Sequence, residues 1–209
     1  MMQTEIQKTT NCKMILAVDI GTTGMKMGVF QLSDDALSLV RQYPQEYKVN
    51  IYNDGLFGDI EQEKWETAFI AGCKDMDDLI GDVDVISLSG TTPGLTAMDK
   101  SGRALYPAIL MLDQRSRKQA RLIIETVGME HLLKTTANMP VAGGCSLASV
   151  LWIKDNCPEV FNKTYKFGHS NTYFAHWLTG GFAIDPSSAS LTALYNTVQN
   201  DFTWNEDIA

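Results

Sequence analysis

The stretch Ile15–Gln31, ILAVDIGTTGMKMGVFQ, brings together three residue types at a spacing suited to anion chemistry. An apolar run, Ile15, Leu16, Ala17 and Val18, carries the carboxylate of Asp19 into the turn Gly21-Thr22-Thr23-Gly24. Glycines let backbone N–H groups approach an anion closely, and the two threonine hydroxyls add donors. The spacing departs from the P-loop pattern, which needs Lys-Ser/Thr after its second glycine, and from the dinucleotide pattern, because no helix signal follows. Instead Met25, Met27 and Val29 alternate with Lys26, Gly28 and Phe30, the period of a strand. These residues predict a hairpin with a phosphate-binding turn and Asp19 at the strand end beside it.

Two later stretches carry polar groups at comparable places. Gly90-Thr91-Thr92-Pro93-Gly94 directly follows the apolar run Val83–Leu88, at the carboxyl end of an expected parallel strand, where open α/β sheets bind ligands. Asp113 and Arg115 stand two apart at a strand-to-helix junction and can hydrogen-bond a ligand or their own surroundings. Capping fits Asp113 equally well. The four cysteines, Cys12, Cys73, Cys145 and Cys157, form no C-x-x-C pair and are expected as free thiols. His131, His169 and His176 are scattered and are expected in packing or surface roles.

The elements needed to position these groups are legible in outline. Leu37–Tyr47 reads as a third strand, with Pro44 placing it at or near an edge, so an antiparallel meander is expected. Asp59 opens a cap-like Asp-x-x-Gln, and Trp65, Phe69, Gly72, Met76 and Leu79 predict one helix running through Ile80. Val83–Leu88 predicts a buried parallel strand after that crossover. Leu95–Met98 and Leu105–Leu110 flank the turn cluster Asp99-Lys100-Ser101-Gly102 and predict a hairpin. Beyond Asp113 the period becomes helical. One helix is marked by Ala120, Ile123, Ile124 and Val127, with Asp113 or Ser116 as candidate caps. A second opens at Ser146 and stops at Asn156-Cys157-Pro158, and a third carries Tyr173, Phe174, Trp177 and Leu178 to Gly180-Gly181.

A chain of 209 residues suits one well-filled domain better than two small ones, and 44% hydrophobic with 20% charged residues is an ordinary globular mix. No apolar run approaches the ~20 residues of a membrane span. Residues 1–13 are polar, lack the apolar stretch of a signal peptide and are expected as a flexible tail before a domain over 14–209. A net charge of −8 argues against nucleic acid as the main partner. A small neutral or weakly charged ligand in the cytoplasm fits better.

Asp-Ile-Gly-Thr-Thr-Gly between two strands resembles the first phosphate loop of the actin/hexokinase/Hsp70 superfamily, and β-β-β-α-β is its ribonuclease-H-like order. SLSGTTPGLTAMDKSGRALYPAILMLDQRS and LWIKDNCPEVF…TYFAHWLTGGFAIDPSSAS narrow the resemblance to the FGGY carbohydrate kinases, over about Met14 to the C-terminus. The resemblance implies an α/β fold, a mixed sheet with an antiparallel meander followed by parallel strands and flanked by helices. It implies ATP and Mg²⁺ as cofactors, a sugar or polyol as substrate, and as a further option a homodimer.

Carried over residue by residue, Asp19 would hold Mg²⁺ through its waters, although taken alone it also fits a turn cap. Gly21, Thr22, Thr23, Gly24 and Lys26 would meet the nucleotide phosphates, Lys26 standing where relatives carry an Arg. Thr91, Thr92, Pro93, Asp113 and Arg115 would line the sugar site. Thr92 and Pro93 replace the polar pair that relatives place there, and Met111 replaces a Trp, so substrate identity is left open. Asp185 and Ser188 match a core motif and are expected to be structural. No stretch resembles the family's general base in its Gly-Gly-x-Asp-Asn setting, so no catalytic residue is expected in this chain. It reads as the N-terminal half of a kinase, inactive alone. The other reading is a non-catalytic sugar-binding or scaffolding half-domain.

Overall fold

The computed structural model describes residues 12–34, 36–199 and 201–208. Most of the expected flexible tail lies outside the described residues, and Lys13 already belongs to the first strand. In chain order the strands are β1 (Lys13–Ile20), β2 (Gly24–Ser33), β3 (Ala36–Glu46), β4 (Asn50–Tyr52), β5 (Phe57–Ile60), β6 (Val85–Gly90), β7 (Gly94–Met98), β8 (Ala108–Leu110) and β9 (Lys166–Gly168). The helices are α1 (Gln62–Asp75), α2 (Asp77–Ile80), α3 (Arg117–Val127), α4 (Met129–Thr136), α5 (Ser146–Asn156), α6 (Pro158–Lys163), α7 (Ser170–Thr179) and α8 (Pro186–Ser190). They fall into two compact units, one reaching Tyr47 and resuming over Trp65–Ser89, the other comprising Lys48–Lys64 and the chain from Gly90 onward.

The first unit is built on a sheet ordered β3-β2-β1-β6. The pairs β1–β2 and β2–β3 are antiparallel, as the alternation of apolar residues predicts, and Pro44 lies on the edge strand β3. Leu16, Val18 and Ile20 of β1 are buried, as are Met25, Met27 and Val29 of β2, while Ile15, Ala17 and Asp19 point to a half-open face. Burying each such side chain contributes roughly 1.5–3 kcal/mol. Helix α1 supplies Trp65, Ala68 and Phe69 to the core. Gly72 permits its close approach, since a Cβ there would lie 2.4 Å from Met27 Sδ.

Two expectations change here. The helix is divided at Met76 into α1 and the short α2, and Asp59, expected to cap it, instead lies within strand β5. Strand β6 is not buried, for Val85 and Ile86 are about half exposed. Its apolar run suggested cover on both faces, but β6 is an edge strand of its sheet.

The second unit carries a sheet ordered β4-β5-β8-β7-β9. The expected hairpin is present, with Gly94 opposite Leu110 and Leu95 opposite Ile109. Its turn is tied by Asp99 Oδ1, which accepts from the Ser101 N–H, the Ser101 hydroxyl and the Arg103 N–H. Ala120 and Ile123 of α3 pack with Leu132 of α4 and Ala148 of α5, the side that the helical period marked. Helix α5 begins at Ser146 and ends before Cys157-Pro158, and α7 ends on Gly180 with φ 75°. Neither Asp113 nor Ser116 caps α3 with its side chain. No described helix is long and apolar enough to cross a membrane.

Candidate functional site

In the first unit the β1–β2 hairpin presents the Gly/Thr turn. Asp19 pairs with Lys26 across the ladder and Ile20 with Met25, so Gly21, Thr22 and Thr23 make the connection. The Gly21 N–H donates to the Gly24 carbonyl at 2.9 Å and closes the turn. Both glycines answer close approaches rather than unusual torsions. A Cβ on Gly21 would lie 2.7 Å from the Gly24 carbonyl oxygen, and one on Gly24 would lie 2.9 Å from that of Gln45.

Tyr47, the residue directly after β3, holds the turn from the other side. Its N–H donates to the Thr23 carbonyl at 3.1 Å, and its hydroxyl donates to the Gly21 carbonyl at 2.5 Å. Burial, reinforced by the charge of Asp19, raises the Tyr47 pKa well above its ordinary value, so the phenol keeps its proton. Sequence reasoning missed this residue, because a tyrosine ending a strand carries no signal of what it ties.

Asp19 and Lys26 flank the turn with Nζ 3.9 Å from Oδ2 and side chains 49% and 80% exposed, which makes a weak, water-screened pair. Both remain open to a ligand. Among the described residues no three His, Cys, Asp or Glu side chains gather as a metal site. One half-exposed carboxylate suits Mg²⁺, which keeps several waters and shares itself with substrate phosphates.

In the second unit the Gly90–Gly94 loop is seated on the start of α7. A Cβ on Gly90 would lie 2.1 Å from Asn171 Oδ1, and the Ser170 hydroxyl donates to the Thr91 carbonyl at 3.0 Å. Asn171 Nδ2 donates to Asp185 at 3.3 Å, and Asp185 caps α8 by accepting from the Ser188 N–H at 2.8 Å and hydroxyl at 2.6 Å. Asp185 and Ser188 are therefore structural, as expected. Within the loop the Thr92–Pro93 peptide is cis and the Thr92 hydroxyl donates to the Gly90 carbonyl at 2.9 Å. Thr91 and Thr92 are half-buried and Pro93 is buried.

Of the two uses that their spacing allowed, Asp113 and Arg115 show the bonding of their own surroundings. The Asp113 carboxylate is wholly enclosed and accepts from the Gly58 N–H at 2.7 Å, the Arg115 N–H at 2.8 Å and Arg115 Nε at 2.8 Å. The Arg115 guanidinium reaches Asp59 at 2.8 Å, the Tyr106 hydroxyl at 3.1 Å and the Tyr52 hydroxyl at 3.3 Å. Its carbon lies 4.4 Å from the ring centre of Phe57 and 5.1 Å from that of Trp152. Burial opposes the charge on Arg115, yet the hydrogen bonds of Asp113 and Asp59 outweigh it and raise the guanidinium pKa. The Tyr52 hydroxyl, which also donates to Asp59, is pushed up to about 12, mainly by burial.

Here, then, Asp113 and Arg115 offer a ligand no free atom. They fix the chain beside the exposed Met111, over which Gly143 passes at φ 70°, where a Cβ would lie 2.1 Å from the Met111 carbonyl oxygen. Asp59 completes the cluster and was missed, because its Asp-x-x-Gln context mimics a helix cap.

The β1–β2 hairpin with its Gly/Thr turn and the glycine-bounded loop seated on the start of α7 are the local features beside which the chain's likeness to known proteins is read. The sequence matches the FGGY family of carbohydrate kinases, N-terminal domain, over residues 14–208, and the chain belongs to that family. It is 29% identical over 198 residues to the xylulose kinase of Lactococcus lactis subsp. lactis, an alignment covering 93% of this chain and 38% of that protein. The fold resembles a xylulose kinase from Rhodospirillum rubrum at TM-score 0.83 and 20% identity, covering 94% of this chain and 40% of the other. It also resembles a gluconate kinase from Lactobacillus acidophilus at TM-score 0.82 and 21% identity, covering 95% and 39%. The chain thus spans about two fifths of the length of the proteins it matches.

Proposed function

We propose that this chain is the phosphate- and sugar-recognising half of an ATP-dependent kinase that transfers the γ-phosphate to a hydroxyl of a sugar or polyol in the cytoplasm. The observation that carries the reading is the Gly21–Gly24 turn, closed on itself and tied to Tyr47, with the open carboxylate of Asp19 at its edge. Phosphoryl transfer depends on positioning and electrostatics more than on covalent chemistry from the protein. In this reading Asp19 holds Mg²⁺ through its waters, and the metal when bound neutralises charge on the transferred phosphate. The N–H groups and hydroxyls of Thr22 and Thr23 cradle phosphate oxygens, and Lys26 reaches them from β2. On the sugar side, Thr91 and Thr92 make the direct contacts, while Asp113 and Arg115 hold the neighbouring backbone.

The relatives' names do not fix the sugar, because Thr92, Pro93 and Met111 depart from the family's usual contacts. Xylulose and glycerol are expected to be poor ligands for that reason. The test is an amide-resolved NMR titration of the chain with Mg²⁺·ATP. The amides of Gly21, Thr22, Thr23 and Gly24 should shift together, and chelating the metal should diminish the effect. Shifts confined to other residues would overturn the assignment of the turn.

A further inference from the structure

We propose that the second unit carries a separate binding site for a small uncharged aromatic alcohol, a phenol, in the cavity between α5, β9 and α7, with the hydroxyl paired to His169 and Thr172. The cavity measures about 410 Å³. That lies within the ~300–1,000 Å³ of small-molecule sites. Its wall is largely apolar, and Leu95, Val150, Phe167, Phe182 and Leu194 provide the faces against which a flat ring would pack. None of these residues belongs to the phosphate turn, and none has a part in the proposed phosphoryl transfer.

Two polar side chains of the wall give the ligand its chemistry. His169 and Thr172 are almost wholly buried, and His169 Nδ1 and Thr172 Oγ1 have no hydrogen-bond partner. Buried polar atoms are nearly always satisfied, so two in the wall of one cavity point to something that occupies it. His169 Nε2 lies 2.6 Å from the Ser146 hydroxyl. If Ser146 donates, Nδ1 carries the ring proton and needs an acceptor; if the ring donates, Nδ1 has a lone pair and needs a donor. A hydroxyl satisfies either tautomer, and the Thr172 hydroxyl can take the complementary role. A carbonyl or an ammonium group could serve only one of the two. Burial lowers the His169 pKa to about 4, so the ring is neutral at neutral pH and presents no charge for an anion. Lys166, the one charged residue of the lining among the described residues, is exposed and holds its ammonium over the Tyr165 ring at 5.2 Å, so the inner wall is neutral and mostly apolar and favours an uncharged phenol over a carboxylate.

The test uses the full 209-residue chain with 2-naphthol and naphthalene as matched probes, followed by calorimetry and by the NMR signals of the His169 imidazole and the Trp204 indole, which also lines the cavity. Saturable binding of one 2-naphthol per chain is expected, with both signals shifting, and naphthalene should bind at least about tenfold more weakly because it leaves the polar atoms unpaired. Leu194→Trp, and independently Val150→Phe, should fill the space and remove binding. Equal affinity for the two probes would reduce the cavity to an apolar gap. Absence of saturation, which is the result for a cavity holding only water, would overturn the proposal, as would shifts that leave His169 and Trp204 unmoved. Should both filling variants fail to fold, the comparison of the two probes on the wild-type chain decides the matter alone.

Discussion

Arg115 is the residue on which the buried ion-pair cluster of the second unit converges. Its guanidinium makes ion pairs with Asp59 and Asp113, all three side chains being buried. Removing one partner of such a cluster strands the others' charges away from water. Arg115→Met should therefore cost about 3–5 kcal/mol in urea unfolding, and Asp113→Ala a similar amount. A loss under about 1 kcal/mol would mean that water reaches the cluster, as for surface pairs. The spacing of Asp113 and Arg115 was visible in the sequence, but their burial was not. The deciding partner, Asp59, lies 56 positions from Arg115, and only the fold brings them together.

His169 makes a second residue-scale prediction, in pH. Its folded pKa of about 4 lies below the ordinary 6.5, so on acidification the unfolded chain takes the proton first. The stability due to keeping this ring neutral is complete above the unfolded value and is lost as pH falls from 6.5 toward 4. By pH 4.5 the loss amounts to roughly 2–3 kcal/mol. Unfolding of wild type and His169→Gln at pH 7 and pH 4.5 should show a smaller pH dependence in the variant. Parallel curves would mean that the ring is not buried in the folded state.

Among the elements, the β1–β2 hairpin was the most legible, because its period, its Gly/Thr turn and its terminal Asp all agree. The brace from Tyr47 was not. Tyr47→Phe removes only the hydroxyl that bonds the Gly21 carbonyl, so a stability loss of about 1 kcal/mol is expected. Hydrogen exchange should rise locally at Gly21–Gly24 rather than throughout the sheet. Uniform exchange would deny Tyr47 its special hold on the turn. The apolar content of Val83–Leu88 identified a strand correctly but overstated its burial, since composition records hydrophobicity and not position in the sheet. The unforeseen elements are mostly short. The three-residue β4 and β9 present too few positions for any period to show, and they depend on their neighbours for pairing.

At the scale of the whole molecule, membership of the FGGY family rests on a match across nearly the full chain, while the chain spans about two fifths of its relatives' length. We expect the general base, a group worth ~10²–10⁴-fold in rate, to lie outside these 209 residues. The 209-residue polypeptide by itself is accordingly expected to show no appreciable sugar-dependent ADP release across a ketose and polyol panel. Turnover at ordinary kinase rates would relocate the catalytic residues into these 209 positions. The central claim, however, is that the turn beside Asp19 receives a metal-bound phosphate, and calorimetric titration of ATP with and without Mg²⁺ into wild type and Asp19→Asn tests it most directly. Mg²⁺ should strengthen ATP binding to wild type, and Asp19→Asn should lose about tenfold of that gain, near 1.4 kcal/mol, with its fold intact. An equal Mg²⁺-dependent gain in both proteins would contradict the claim and leave Asp19 as a turn residue.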